Sequence, residues 1–130
     1  MNREEINAHL KARAERLQGL NFELIKLSSY NRFDGEQVVA DLMAHRSLWL
    51  AAVMTDGADS SLMIRDIDRG YWNVSTLFLK TSTRYLSDLM QIIRDWHADD
   101  ISVLDENEAD QMLFHYGLTT DQRIVRLWWD

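Results

Sequence analysis

The last third of the chain constrains the fold most strongly, because apolar segments of strand length and of helix length alternate from residue 71 to residue 129. The strand-like segments are Trp72–Leu79, Ile101–Leu104 and Arg123–Trp129; one helix-like segment starts at Thr81, Ser82 or Thr83, and the other spans Glu106–Tyr116 and ends at Gly117. Strands and helices that follow one another in this way favour right-handed parallel crossovers. The alternation therefore predicts two strand–helix–strand crossovers in a mixed sheet.

A β-hairpin is predicted to lead into this sheet. The segments Leu62–Ile67 and Trp72–Leu79 flank Asp68-Arg69-Gly70, which has the composition of a turn. Arg65, Asp66, Asp68 and Arg69 surround this turn, where they could form an acid/base pair. Arg65 and the acids can take the solvent side of the strand and its turn while Leu62, Ile64 and Ile67 contact other elements. There these charged residues either bind a polar ligand or, more simply, form exposed ion pairs of little energetic weight.

The N-terminal segment, residues 3–29, carries aliphatic side chains at alternating steps of four and three residues, the spacing of one helix face. We call this set the N-terminal stripe: Ile6, Leu10, Leu17, Leu20, Leu24 and Leu27. Arg13 occupies the one position that interrupts it. Gly19 costs about 1 kcal/mol relative to Ala inside a helix. The segment is therefore one helix, two helices, or a helix followed by an extended Leu20–Leu27, and the pattern favours helix.

Residues 34–56 also favour helix. Asp34 is a plausible N-cap with Gln37 three residues later, which predicts a helix over about Gly35–Arg46. The apolar run Leu48–Met54 is too short for periodicity to decide, but its alanines and the preceding Ser47 favour helix. The chain is thus predicted to be a single α+β domain over 1–130, with N-terminal helices over 1–33 and 34–56 and a mixed sheet with helices over 61–130.

Composition narrows the range of functions. The 130 residues carry a formal net charge of −7 and no cysteine. A negative chain disfavours nucleic acid and anionic membranes, because both bind clustered Lys and Arg. The lack of cysteine excludes disulfides and thiolate metal ligands. No apolar run approaches the ~18 residues of a membrane span, and no apolar leader follows Met1, so a cytoplasmic location is expected.

The acidic stretch 95–110 is the densest concentration of chemical groups. Its candidates for catalysis are His97, Asp99, Asp100 and Asp105, with oxygen ligands suited to Mg²⁺, Mn²⁺ or Ca²⁺ and His97 as a general base. Acids at this position are more often helix caps and solvated surface, since a helix N-terminus favours negative charge. We therefore expect no bound metal. No Gly-rich phosphate or dinucleotide motif occurs, so no cofactor is expected either.

Two features favour contact with a protein. The N-terminal stripe could pair with another helix, with Leu10, Leu17 and Leu24 at the contact, or it could pack on the sheet or on the helices of residues 34–56. Adjacent Trp128 and Trp129 must face opposite sides of a strand, so either both sheet faces are covered or one indole remains open to a partner.

The sequence accordingly favours a small acidic interaction protein that binds a protein partner or itself without catalysis. A metal-assisted hydrolase or lyase that uses the acidic stretch is the rival hypothesis. A small-ligand binding domain is the third, because a mixed sheet with loops at its strand ends can form a pocket.

Overall fold

A computed structural model describes residues 1–30, 32–55, 61–114 and 118–130. The helices are α1 (Arg3–Leu27), α2 (Gly35–Ala44), α3 (Ser61–Asp66), α4 (Leu86–Ile93) and α5 (Glu106–Met112). The strands are β1 (Ser29–Tyr30), β2 (Phe33–Asp34), β3 (Ala51–Thr55), β4 (Thr76–Ser82), β5 (Asp100–Val103) and β6 (Gln122–Trp128). The predicted α+β class is confirmed. None of the described helices is both long enough and apolar enough to cross a membrane.

The main sheet has the strand order β3-β4-β6-β5, and every neighbouring pair within it is antiparallel. The prediction of a mixed sheet was therefore wrong. β4 and β5 do run in the same direction on either side of an α4 connection, as the crossover prediction requires, but β6 lies between them. The second predicted crossover is also wrong, because β5 and β6 are antiparallel neighbours. The last strand of the chain, β6, therefore lies between β4 and β5 and not at an edge of the sheet.

The predicted hairpin is absent because its first strand is helical. Residues 61–66 form α3, and Ile67–Arg69 continue it as a single 3₁₀ turn. Gly70 ends that turn with φ 85°, a left-handed conformation that glycine adopts without steric cost. The turn chemistry at residues 68–70 was recognised correctly, but it ends a helix instead of joining two strands.

Residues 47–55 were predicted as helix and form a 3₁₀ turn followed by β3. Ala51 pairs with Lys80 of β4 and Thr55 pairs with Thr76, so the whole of β3 is bound to the sheet. The helix preference of two alanines amounts to less than the pairing of five residues, which is the usual way in which tertiary context overrides local propensity.

The remaining element predictions hold with shifted ends. α1 is one continuous helix with a capping box between Asn2 and Glu5, and Asp34 caps α2 through the Gln37 amide. The helix expected to start at Thr81–Thr83 starts at Leu86, because Thr81 and Ser82 still belong to β4. Helix α5 ends at Met112, and its expected terminator Gly117 lies outside the described residues.

One face of the sheet carries the main core. Leu77, Leu79, Val125 and Leu127 are buried there beneath side chains from α1, α2 and α4. On the opposite face, Ile124 forms a smaller cluster with Leu104 and Ala109, which brings α5 against that side. Three of the five tryptophans are buried in the main core: Trp49, Trp96 and Trp129.

Helices α1 and α2 approach each other closely at Gly35, the first residue of α2. A Cβ atom placed on Gly35 would overlap the carbonyl group of Ile25 in the last turns of α1. The carbonyl of Ile25 belongs to the backbone, so it cannot rotate away as a flexible side chain would. Glycine at this position therefore sets the distance between α1 and α2.

Replacing Gly35 with alanine should destabilise the protein by about 1–3 kcal/mol, the usual cost of overpacking, because α1 or α2 must shift. Gly19→Ala is the matched control, since nothing lies within 4 Å of a Cβ at Gly19. That change should instead stabilise the protein by about 1 kcal/mol through helix propensity. Urea unfolding of both variants measures the two signs. Equal effects at the two positions would contradict the close approach.

Candidate interaction surface

The C-terminal half of α1 is fixed to the body of the protein along one face. Ile25 is fully buried, and the Phe22 ring meets Trp49 edge to face with the ring centroids 5.6 Å apart. The Trp49 indole is itself held by its Nε1, which donates to the carbonyl of Leu42 at 2.8 Å. These contacts join α1, α2 and the start of β3 in one cluster.

Gln18 ties the same face of α1 to the edge of the sheet. Its side-chain Nε2 donates to the carbonyl of Ala52 at 2.8 Å, and its Oε1 accepts from the amide of Ala52 at 2.9 Å. The side-chain amide thus pairs with β3 as a neighbouring strand would, and it covers backbone groups that an edge strand otherwise exposes. Sequence analysis missed Gln18, because one glutamine on a helix produces no recognisable pattern.

With the rest of the described residues, the N-terminal half of α1 makes no such contacts. Every residue of 3–17 is exposed, on all sides of the helix. At 1.5 Å per residue, about 22 Å of helix extends beyond the anchored part. A helix lying on the body would bury one face, so this half projects from it.

The N-terminal stripe is exposed along its whole length. Its six aliphatic residues have between 38% and 70% of their surface accessible, including those in the anchored half. Gln18, Phe22 and Ile25 define the anchored face, and the stripe lies roughly 130° around the helix axis from it at 3.6 residues per turn. The alternative that the stripe packs on the sheet or on α2 is therefore wrong, and Leu10, Leu17 and Leu24 lie on the outer surface.

The two C-terminal tryptophans separate as strand alternation predicts. Trp129 has 0% of its surface exposed, and its indole Nε1 donates to the carbonyl of Trp96 at 2.9 Å. Trp128 has 38% exposed and lies on the other sheet face, in register with Thr76 and Asp100. Trp129 is thus a core residue that no partner can reach in this fold, whereas Trp128 is accessible.

Each acidic candidate for catalysis has a hydrogen-bond partner within the fold. Asp105 caps α5 by accepting from the Glu108 amide at 2.8 Å, Asp99 accepts from the amide of Asp130 at 2.8 Å, and Asp100 accepts from the Ser102 hydroxyl at 3.2 Å. Among the described residues, no three His, Asp or Glu side chains are grouped so that they could hold a metal ion.

His97 follows the turn after α4, two residues before Asp99. It has φ 59° and lines a cleft of about 380 Å³ with Asp41, Asp95 and Arg32. Both carboxylate oxygens of Asp41 accept a hydrogen bond there. One accepts from the Trp96 indole at 2.8 Å, and the other accepts from the side-chain amide of Gln37 at 2.9 Å. The size is within the range of small-molecule pockets, but such pockets are mostly apolar, and this lining is charged.

Asp66 was predicted to face solvent and is buried, because α3 replaces the expected strand. Arg65 donates to both of its carboxylate oxygens at 2.7 Å, and Asn73 donates at 2.8 Å. These hydrogen bonds stabilise the ionised form and lower the pKa of Asp66 to about 2. The carboxylate ties α3 to the segment before β4, so it has a structural function.

Comparison with known proteins gives no further guide: no family model matches the sequence, and no characterised protein or solved structure is significantly similar to it. The hypothesis for function therefore depends on the geometry of the chain itself.

Asp66→Asn should lower the melting temperature at pH 7. The pKa of Asp66 is lowered from an ordinary value of 3.8 to about 2. The stabilisation is therefore complete above about pH 4 and is lost as the pH falls towards 2. The gap between wild type and variant should shrink over that interval in circular dichroism melts. Asp68→Asn, on the same turn but exposed, is the control and should leave the gap near zero. A gap that stays constant down to pH 2 would contradict the assignment.

Proposed function

We propose that this chain is a non-catalytic interaction protein and that the N-terminal stripe is the surface by which it docks against a helix of a partner. The observation that carries the proposal is the exposure of six aliphatic residues at helical spacing on a helix whose other face is anchored. Single exposed aliphatic residues are ordinary, but a continuous apolar stripe is typical of an interaction site.

The spacing of the stripe specifies the kind of contact. Alternating steps of four and three residues average 3.5, the heptad repeat by which two helices pack side by side. With Arg13 included, the stripe runs through seven consecutive core positions of such a repeat, from Ile6 to Leu27. A groove or a flat sheet does not require this period along 25 residues of helix.

The exposure of the N-terminal half of α1 also supports the proposal that this helix binds a partner. Helices without tertiary contacts are marginal in water when they are shorter than about 12–15 residues, because most helical stability comes from packing an apolar face. The projecting half of α1 is of that length and has no such packing. A helix docked on the stripe would supply it.

The acidic residues support binding over the rival hydrolase or lyase. Asp99, Asp100 and Asp105 accept hydrogen bonds from the end of the chain, a strand hydroxyl and a helix amide. His97 lies in a different cleft, among charged groups of α2 and the turn after α4. Each of these three carboxylates therefore has a hydrogen-bond partner within the fold, which favours a structural role for them.

Replacing Leu10 and Leu17 together with glutamine should abolish association without unfolding the body, since both residues are exposed and glutamine is a good helix former. A leucine that becomes fully buried contributes about 1.5–3 kcal/mol, so losing two should weaken binding on the order of a hundredfold or more. The apparent size of the tagged protein, purified and in cell extract, measures this effect in gel filtration.

Ile64→Gln with Ile67→Gln is the matched control, because it removes two exposed aliphatic residues from a different surface. Wild type and control should elute above monomer size in at least one of the two conditions, and the stripe variant should elute as a monomer in both. A stripe variant that keeps the wild-type size would refute the proposal, as would a wild type that is monomeric in both conditions.

A further inference from the structure

We infer that the N-terminal stripe takes the same stripe of a second copy of this chain, with the two α1 helices antiparallel. This inference rests on the proposed function and names its partner. It follows from the length of the stripe, the area that it exposes and the place of Arg13 within it.

The length of the stripe calls for an equally long helix. α1 has 25 residues, whereas α2 and α4 have 10 and 8 and already bury their apolar faces in the core. Within the described part of the chain, α1 is thus the one helix that can match the stripe over its whole length. A second copy supplies that match with the same heptad spacing, as a two-fold symmetric contact requires.

The exposed area is sufficient for such a dimer. A register that pairs Leu10 with Leu27 covers five of the six aliphatic residues, and their accessible parts amount to roughly 1,000 Å² over the two copies, about the threshold for a specific interface. Flanking side chains of two helices packed in this way add to that area. The contact is therefore large enough to be specific, and small enough for the monomer to fold without it.

Arg13 decides the orientation. In a parallel pair each core position faces its own copy, so two Arg13 guanidinium groups would meet inside the contact, and like charges there disfavour the pairing. In an antiparallel pair the two kinds of core position alternate across the contact, so Arg13 faces Leu10, Leu17 or Leu24 of the second copy. Its aliphatic stem can then cover the leucine while its charge reaches water.

The charges beside the stripe favour one antiparallel register. When Leu17 faces Leu20 of the second copy, Arg16 of each helix lies next to Glu23 of the other, and Leu10 faces Leu27. This pairing places Arg16 against the carboxylate of Glu23 instead of against Arg16 of the second copy. Opposite charges at these flanking positions are what set orientation in paired helices.

Cysteine cross-linking tests the orientation, and the chain suits it because it contains no cysteine. Leu10→Cys, Leu20→Cys and Leu27→Cys are prepared singly, with one member of each mixture carrying a size tag. Each is oxidised mildly alone and in mixture, and Ile64→Cys, an exposed residue away from the stripe, reports random collision. The mass of the unmodified protein is measured by sedimentation in parallel.

We expect a mass of twice 15.3 kDa. Leu10→Cys mixed with Leu27→Cys should give several-fold more disulfide dimer than the collision control, while Leu10→Cys alone should not exceed it. Strong cross-linking of Leu10→Cys with Leu20→Cys instead would also support the antiparallel pair, in a register shifted by one heptad.

Two results would overturn the inference. Efficient cross-linking of Leu10→Cys to itself would show a parallel pair, and a sedimentation mass of one chain would show that no self-pairing occurs. In the second case the proposed function still stands if wild type forms a complex in extract that the Leu10/Leu17 glutamine variant loses. If that variant behaves as wild type there, the proposed function fails as well.

Discussion

The contact between α1 and the body of the protein depends on a backbone approach at Gly35, where any side chain would overlap the carbonyl of Ile25. That approach lets Ile25 sink fully into the core and places Phe22 against the edge of Trp49. Gln18 then reaches the backbone of Ala52 and occupies the open edge of β3. Gly35 therefore permits the contacts that join α1, α2 and the main sheet.

This anchor also fixes which side of α1 faces water. Because Gln18, Phe22 and Ile25 hold one face, the N-terminal stripe must lie on a neighbouring flank, and no other element covers it in the part of the chain that is described. The same anchor leaves the first half of the helix projecting. The candidate interaction surface is thus a consequence of how the core is closed, and any change that rotates α1 about its axis would alter the exposed face of α1 and the stability together.

The antiparallel sheet shows where local reasoning reaches its limit. The strands near residues 72–79, 101–104 and 123–129 were each located to within a few residues, and the crossover between the first two has the predicted direction. The order of the strands in the sheet was not predictable, because the last strand inserts between β4 and β5 and makes every pairing antiparallel. Residues 51–55 are another example, since they form a strand through pairing with β4 although their local sequence favours helix. Asp66 changed from an exposed to a buried group for a similar reason, once α3 took the place of a strand.

The sequence by itself determined the α+β class, the caps at Asp34 and Asp105, and the heptad spacing of the stripe, because these depend on patterns among residues close together in the chain. It left open whether residues 3–29 form one helix or two. Only the tertiary structure decided which face of α1 is anchored, that Trp129 is core while Trp128 is accessible, and that Asp99 accepts a hydrogen bond from the amide of Asp130. Those outcomes depend on contacts between residues distant in the chain, and periodicity carries no information about which apolar face finds a partner within the same molecule.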